Sequence, residues 1–482
     1  MSSLRRAVAW ASVAQYLNIA IGFTATLVLA RLLTPAEYGI SALSGAIVGV
    51  AEAIRELAGG TFLIREHDLT HGKIRSTTTV NFLVTFTVAV VLALLAEPLA
   101  HFFEMPALAP FLFIAILGFL LGPFFHPQQA LMSRNMAFDR LAVVNCASAF
   151  VGAAVAVVLA LAGFGANSFA WAGVASAIVG TLLCFIVHRD FSIYKPSLSD
   201  WRSVVRFGAY SSTSAILGML AEAAPLLIFG RLLSAAELAI GHRAVLLCMF
   251  PERLVLAAVG AVALPELSRQ SREGGDLKGA YLAAISAITV VYWPIMVMLA
   301  LLAQPVVALV LGRQWLDAVP LVRILSPALM LAVPIVLQFP ILVAASGVHI
   351  LPRLLVLQTI VTTTALALTA GYGLHAAALS MLAAMPVNAG MSLLAVRGRI
   401  EFRWSELGAV LARSGVVTLA AAIGPIIMSL AFRSDMPLAG AVVAVALGGA
   451  GWIIALSATG HSLWSELVQA ATALVRLSFF RR

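Results

Sequence analysis

Two ten-residue stretches of this sequence repeat one another: RLLTPAEYGI at 31–40 and RLLSAAELAI at 231–240. Each copy ends one long apolar run and begins the next. The copies are 200 residues apart and enclose about six such runs. The repeat indicates a chain built from two related halves, and the even number of runs gives both halves the same direction.

The apolar runs indicate a membrane protein. Hydrophobic residues make up 62% of the 482 residues and charged residues 11%, whereas soluble domains have about 45–50% and 25%. A mean hydropathy of +1.02 leaves too few polar residues to cover soluble domains of this size. The runs have the length of about 20 residues that a bilayer-spanning helix needs, and they show no alternation of period two. We expect about fourteen transmembrane helices, centred near residues 18, 51, 87, 117, 152, 178, 216, 250, 291, 331, 362, 385, 422 and 447.

The repeat and the runs together predict an all-α integral membrane protein. The first six-helix bundle is expected at 1–188, and its parallel-related copy at 207–396. A cytoplasmic linker at 189–206 joins the bundles, and 397–482 adds two helices and a basic cytoplasmic tail. Repeats of this kind are typical of transporters whose substrate site lies between the halves.

The basic residues orient the chain. Twenty-two of the 30 Lys and Arg lie in segments that become cytoplasmic if the N-terminus is cytoplasmic. The loops of the opposite face hold Arg31, Arg231, Arg313 and Arg433. Because Lys and Arg concentrate in cytoplasmic loops, both termini are predicted to be cytoplasmic. Topology thus accounts for the net charge of +9, and we expect no nucleic-acid partner.

The sequence lacks the common catalytic motifs. It contains no GxxxxGK[ST] phosphate-binding loop, no HExxH zinc motif and no GxSxG nucleophile motif, and its loops are short. The three cysteines lie in apolar runs without metal-binding spacing. We therefore predict a protein that is not an enzyme and that uses no catalytic residue, metal or cofactor.

Charged side chains within the predicted helices are candidates for function, because charge at membrane depth is costly. The second predicted helix carries Glu52, Arg55 and Glu56. The eighth, its repeat partner, carries Glu252 and Arg253. Each set can neutralise itself as a buried ion pair that holds helices in register. Alternatively, the arginines face a cavity and bind an anionic head group through the planar guanidinium.

Polar side chains also line the first helix of each predicted bundle. Gln15 and Asn18 lie on the first helix, and Tyr210 and Ser214 lie on the seventh, spaced three or four residues apart. The symmetry of the two stripes predicts that both line one cavity. Small polar residues also join transmembrane helices, so packing is the alternative.

Further charged residues have candidate roles. Glu222 lies mid-helix with no cation within four residues of it, so it must be protonated or paired with another helix. It is the first candidate for coupling to protons or cations, ahead of Glu52 and Glu252. Arg243 and Arg323 lie in the first turns of the eighth and tenth predicted helices. Their side chains can snorkel to the interface, and Arg243 can alternatively bind the head group.

Four stretches carry a resemblance to one transporter family. They are LARLLTPAEYGISAL at 29–43, IGHRAVLLCMFPERLV at 240–255, VALPELSRQ at 262–270 and LGRQWLDAVPLVRIL at 311–325. They resemble the Wzx-type polysaccharide flippases, in the colanic-acid-exporter-like branch, of the MOP (multidrug/oligosaccharidyl-lipid/polysaccharide) superfamily. The sequence departs from the branch pattern at 239–241, where Ala-Ile-Gly replaces Gly-Leu-Tyr.

The resemblance implies a MATE-like fold in the bacterial inner membrane. It implies a flippase that moves oligosaccharide units on undecaprenyl diphosphate to the periplasmic leaflet, for exopolysaccharide or lipopolysaccharide synthesis. A cationic cavity receives the diphosphate in related flippases, and Arg55 and Arg253 best fit that role here. The implied partners are this lipid-linked substrate and membrane lipids, with a polysaccharide polymerase and chain-length or export proteins as further candidates. The alternatives are a MATE-like drug/cation antiporter, which would favour the glutamates, and a membrane glycan polymerase or glycosyltransferase.

Overall fold

A computed structural model describes residues 2–56, 60–187, 190–272, 275–432, 436–461 and 463–464. These residues are helical apart from turns and short connections, and none of them forms a strand. The chain forms two compact units, Met1–Ala239 and Ile240–Arg482.

The first unit is built from long helices that run back and forth. In chain order they are α1 (Ser2–Leu32), α2 (Pro35–Arg55), α3 (Gly60–Arg65), α4 (His71–Phe102), α5 (Leu108–Leu120), α6 (Gly122–Arg134), α7 (Phe138–Leu161), α8 (Asn167–Val187) and α9 (Trp201–Leu232). A 3-10 turn at Phe191–Tyr194 precedes α9.

The second unit continues from α10 (Ala235–Arg272), which begins in the first unit. The helices that follow are α11 (Leu277–Leu301), α12 (Ala303–Val310), α13 (Val319–Met330), α14 (Val333–Ala344), α15 (Leu351–Ala370), α16 (Leu374–Ile400), α17 (Trp404–Phe432) and α18 (Leu438–Ala458). Further 3-10 turns lie at Arg313–Ala318 and Val348–Ile350.

Within the described residues, 11 helices are long and apolar enough to cross a membrane, or 12 if the bent pair α5–α6 is one span. The chain is therefore a multi-pass membrane protein, but the predicted number of about fourteen spans is not confirmed. The predicted spans centred at 216 and 250 fall on α9 and α10. The side chains of 209–215 and 254–268, within those two helices, lie outside the described residues.

The repeated sequence forms the same turn twice. Before α2, Thr34 Oγ1 accepts a hydrogen bond from Glu37 N at 3.4 Å, and the Glu37 carboxylate accepts one from Thr34 N at 2.8 Å. Before α10, Ser234 and Glu237 form the equivalent bonds at 3.3 and 2.9 Å. This reciprocal capping satisfies two backbone donors at each helix start. The pattern of Ser or Thr followed three residues later by Glu carries the signal in both copies.

Glycines bring α2 and α9 together within the first unit. A Cβ on Gly39 would lie 1.8 Å from the carbonyl oxygen of Ala235, at the start of α10. A Cβ on Gly230 would lie 2.8 Å from Leu43 Cδ1. By its packing α9 belongs to the first unit, whereas the repeat assigns it to the second bundle. The bundle boundaries that follow the repeat stay a prediction.

The predicted linker is bound to the first unit. Tyr194 Oη donates a hydrogen bond to the carbonyl oxygen of Phe124 at 2.7 Å and accepts one from Gln128 Nε2 at 2.6 Å. Ser197 N donates to Thr79 Oγ1 at 3.0 Å. Burial raises the pKa of Tyr194 to about 12, so its hydroxyl stays protonated at neutral pH and keeps its donated bond. These bonds fix the linker on α4 and α6.

The close approach at Gly39 gives a testable prediction. Gly39→Ala places a methyl group against a backbone carbonyl oxygen, and overpacking of this kind costs about 1–3 kcal/mol. We expect a lower melting temperature for the variant, measured by thermal unfolding of the detergent-solubilised protein. Gly45, also on α2, has no atom within 4 Å of a Cβ, so Gly45→Ala should keep the wild-type melting temperature or raise it. Equal melting temperatures for the two variants would contradict the contact.

Candidate functional site

Arg55 is surrounded by polar and aromatic groups at the end of α2. It is the last residue of that helix and is 6% exposed. Its Nη2 donates a hydrogen bond to the carboxylate of Glu52, one turn earlier. His126 Nε2 on α6 lies 2.6 Å from the same nitrogen, and the ring centroid of Phe119 on α5 lies 5.1 Å from Arg55 Cζ. The guanidinium thus contacts both helices of the bent pair.

The bend between α5 and α6 leaves the space for this guanidinium. The two helices meet at 46°, where Pro123 lacks the backbone donor that a continuous helix would use. A Cβ on Gly122 would lie 2.1 Å from Arg55 Nη1. Sequence reasoning missed Gly122, Phe119 and His126 as neighbours of Arg55, because only the fold brings them close. The Gly122–Pro123 pair was the available signal for a break, but it does not indicate what fills the space.

Two alternatives were open for the charged set on α2, and the contacts of Arg55 match the ion pair. The carboxylate of Glu52 offsets the charge of Arg55. Glu56 has a different role: its carboxylate accepts hydrogen bonds from Thr61 N at 3.3 Å and from Thr61 Oγ1 at 3.0 Å, at the start of α3. Binding of a head group by Arg55 stays a prediction.

Arg253 differs from Arg55 in exposure and in charge balance. Its side chain is exposed on α10, and no described residue forms an ion pair or hydrogen bond with it. The neighbouring Glu252 is half-buried and likewise has no such partner within the described part of the chain. The neighbouring Glu252 offsets part of the charge of Arg253, and the exposed guanidinium can still contact a ligand.

Arg243 lies in a buried aromatic contact of the second unit. It is 7% exposed, and its Cζ lies 5.8 Å from the ring centroid of the fully buried Trp315. A guanidinium over an indole face is a favourable cation–π arrangement. Arg243 does not snorkel to the surface, whereas Arg323 on α13 is exposed.

The predicted polar stripes are described in part. On α1, Gln15 is exposed and Asn18 is half-buried. The side chains of Tyr210 and Ser214 lie outside the described residues. On α9, Glu222 is exposed, and no described residue forms a hydrogen bond or ion pair with it. Lining of one cavity by both stripes stays a prediction.

Sequence reasoning missed an uncharged network that joins α14, α15 and α16. Ser392 Oγ donates a hydrogen bond to Gln338 Oε1 at 2.7 Å and accepts one from Gln358 Nε2 at 2.8 Å. Asn388 Nδ2 donates to Thr362 Oγ1 at 2.9 Å. Amide side chains within apolar runs were the available signal, because buried polar groups in a membrane need partners. The network fixes three helices without using a charge.

These groups can bind charge and form hydrogen bonds. An exposed guanidinium can hold a phosphate, and an exposed carboxylate can exchange a proton. Within the described ranges, no group of three His, Cys, Asp or Glu is placed to hold a metal ion. The exposed groups can therefore bind an anion or exchange a proton.

Comparison with known sequences identifies relatives. A family model described as "Polysaccharide biosynthesis protein" matches residues 28–320. The lipopolysaccharide biosynthesis protein WzxC of Escherichia coli (strain K12) is 22% identical over 326 residues, which are 66% of this chain and 65% of that protein. The succinoglycan biosynthesis transport protein ExoT of Rhizobium meliloti (strain 1021) is 26% identical over 324 residues, which are 67% of this chain and 66% of that protein. The chain thus spans just under two thirds of the length of each.

Comparison with solved structures identifies the fold. The lipid II flippase MurJ in an inward closed conformation has a TM-score of 0.73 at 11% identity, covering 95% of this chain and 99% of that chain. An inward-facing multidrug resistance MATE family transporter of the MOP superfamily has a TM-score of 0.64 at 16% identity, covering 83% and 99%. The predicted all-α, MATE-like fold is confirmed.

The contacts of Arg55 predict a structural role. Arg55→Ala leaves the Glu52 carboxylate without its donor, so we expect a loss of about 1–3 kcal/mol in the free energy of unfolding. The double variant Glu52→Ala/Arg55→Ala removes both charges and should recover part of that loss. Thermal unfolding in detergent measures these changes.

Arg253→Ala is the matched control for this stability test. No described residue pairs with Arg253, so its replacement should leave the melting temperature unchanged. A loss as large as that of Arg55→Ala, or no recovery in the double variant, would contradict the structural role of the pair.

Proposed function

This chain belongs to the polysaccharide biosynthesis protein family, and we propose that it is a flippase for lipid-linked oligosaccharides. It moves repeat units on undecaprenyl diphosphate from the cytoplasmic to the periplasmic leaflet of the bacterial inner membrane, for exopolysaccharide or lipopolysaccharide synthesis. The family match over residues 28–320 carries the proposal. The multi-pass MATE-like fold and the relatives, named for polysaccharide synthesis and transport, support it.

The protein acts as a transporter and not as an enzyme in this proposal. Polymerisation of the delivered units belongs to other proteins, and a polysaccharide polymerase and chain-length or export proteins are its candidate partners. Both termini are cytoplasmic, as the distribution of Lys and Arg predicts.

The substrate has three chemically distinct parts. The diphosphate needs positive charge, and the glycan needs groups that form hydrogen bonds. The prenyl tail can stay in the lipid, because apolar chains have no cost there. A site for this substrate therefore needs an uncompensated cation next to a polar surface and an opening to the bilayer.

Arg253 fits the cation best. It lies 18 residues after Ala235 on α10, which is about 27 Å along the helix at 1.5 Å per residue. The hydrocarbon core is about 30 Å thick, so Arg253 lies near the level of the cytoplasmic head groups. Its guanidinium is exposed and forms no ion pair or hydrogen bond with a described residue, although Glu252 next to it offsets part of its charge. We assign the first contact with the head group to Arg253.

Arg55 and Arg243 have supporting roles. Arg55 lies 20 residues after Pro35 on α2, about 30 Å along the helix and thus at a comparable level. Its charge is offset by Glu52, so it positions the bend between α5 and α6 and contributes less net charge to the head group. Arg243 orders the segment around Trp315.

The transport cycle is alternating access. The two bundles of the repeat rock about their interface and expose the polar lining, including Gln15 and Asn18, to each side in turn. Glu222 is the coupling residue: it is exposed on a membrane helix, where a carboxylate must face water or become protonated. If Glu222 couples export to protons, export by a Glu222→Gln variant should not depend on the proton gradient. Export by this variant that still depends on the gradient would contradict the coupling role.

A drug/cation antiporter is the second candidate function. The exposed carboxylate of Glu222 and the fold shared with a MATE transporter favour it. An antiporter would need carboxylates and not Arg253. Sensitivity to cationic drugs in a deletion strain, with unchanged surface polysaccharide, would support the antiporter and contradict the flippase.

The assignment of Arg253 predicts an export defect. Arg253→Ala should reduce surface polymer at least tenfold while the protein still accumulates in the membrane, because the head group loses a charge-assisted contact. Arg253→Lys should retain part of the export, since a lysine keeps the charge without the bidentate geometry. Complementation of a deletion strain, with surface polymer and membrane-bound protein both quantified, measures the export activity of each variant.

The control for the export test is Arg313→Ala. Arg313 is an exposed arginine on the predicted periplasmic face, so its replacement should leave export at the wild-type level. Wild-type export by the Arg253→Ala variant would contradict the proposed contact between Arg253 and the diphosphate head group.

A further inference from the structure

A cavity opens among the ends of four helices in the second unit. It has a volume of about 420 Å³ and lies where α11 ends, where α12 and α13 begin and where α17 ends. Small-molecule sites in proteins have volumes of about 300–1,000 Å³, so the cavity is large enough to hold a ligand. Its lining residues are Ala300, Leu301, Gln304, Pro305, Arg323, Ser429 and Met436.

The polar lining of the cavity is suited to phosphate. Arg323 and Gln304 have no hydrogen-bond or ion-pair partner in the described part of the chain. Ser429 Oγ donates its proton to the carbonyl oxygen of Ile426 at 3.2 Å in its own helix, so the phosphate donors come from Arg323 and Gln304. A guanidinium and an amide supply several N–H donors, and the described lining contains no carboxylate. The cavity therefore offers positive charge and donors to an anion.

The rest of the lining is apolar. The lining includes Leu301, Pro305 and Met436 in addition to Arg323. A free phosphate ion would gain nothing from these side chains, whereas the glycerol and upper acyl region of a phospholipid would cover them. The combination of one cation with an apolar wall favours a lipid over a soluble anion.

The position of the cavity along the helices specifies a leaflet. α11 and α17 run toward the face that the distribution of Lys and Arg assigns to the periplasm, and α13 begins there. The cavity thus lies at the level of the outer head groups of the inner membrane. Arg323 extends from the first turns of α13 to that level, as long basic side chains do at interfaces.

We propose that this cavity binds the phosphodiester head group of an anionic phospholipid of the outer leaflet, with Arg323 as its main ligand. Gln304 donates a second hydrogen bond, and the apolar wall holds the glycerol region. The site is separate from the one proposed for the transported glycan. It makes the second unit sensitive to the lipid composition of the leaflet into which the substrate is delivered.

Native mass spectrometry of the full chain tests this site without any glycan substrate. The probe is phosphatidylglycerol, titrated into the detergent-solubilised protein, and Arg323→Gln should weaken binding of the tightest lipid roughly tenfold. Gln304→Leu, a second variant, should weaken it less. Arg313→Gln is the matched control, because Arg313 is exposed on the same face and does not line the cavity. It should bind phosphatidylglycerol as the wild type does.

Two further arms identify the source of the phosphate. Phosphatidylcholine, which has no net charge, should bind at least tenfold more weakly than phosphatidylglycerol, and millimolar inorganic phosphate should not displace the lipid. Wild-type lipid affinity in both the Arg323 and Gln304 variants would overturn the site. Displacement by inorganic phosphate would overturn the lipid assignment. Neither outcome bears on glycan transport, which the export test addresses.

Discussion

Polar groups in a bilayer must find their partners within the protein, because the hydrocarbon core offers none. The described structure supplies such partners at several places. The two copies of the repeat cap α2 and α10 with their own Thr–Glu and Ser–Glu pairs. The guanidinium of Arg55 is held by Glu52 and lies against Phe119 and His126. Gln358 is held by amide and hydroxyl groups of neighbouring helices.

Charged side chains without a hydrogen-bonded partner are the informative ones. Arg253 and Glu222 are exposed on long apolar helices, and Arg323 lines a cavity, each without a partner among the described residues. Arginines at head-group level, such as Arg253 and Arg323, are within reach of water and of anionic ligands. The same physical rule thus separates the arginines that hold the fold from those that are free to bind an anion.

Much of the fold could be predicted from the sequence. Run lengths and composition predicted a helical membrane protein, because a bilayer allows few other structures. The family resemblance, read from residues 29–43 and 240–255, is confirmed by the family match. The pairing of Arg55 with Glu52 was one of two open alternatives, since a spacing of three residues brings side chains together on a helix.

Other features depend on the tertiary structure. His126 is 71 residues from Arg55 in the sequence, and Gly122 admits the guanidinium only because the helix bends there. The docking of α9 on α2 could not be predicted from hydropathy, because glycine contacts such as Gly230 against Leu43 involve residues from distant segments. The cavity around Arg323 also requires the ends of separate helices to meet.

Flipping of a lipid-linked oligosaccharide is tested by the lipid-linked pool of a clean deletion strain. Inner-membrane lipids would be extracted, and the leaflet of the undecaprenyl-diphosphate-linked units would be determined with a probe that cannot cross the membrane. The proposal predicts loss of surface polymer with complete units accumulating on the cytoplasmic leaflet. Unchanged polymer, or complete units that still reach the periplasmic leaflet, would contradict it.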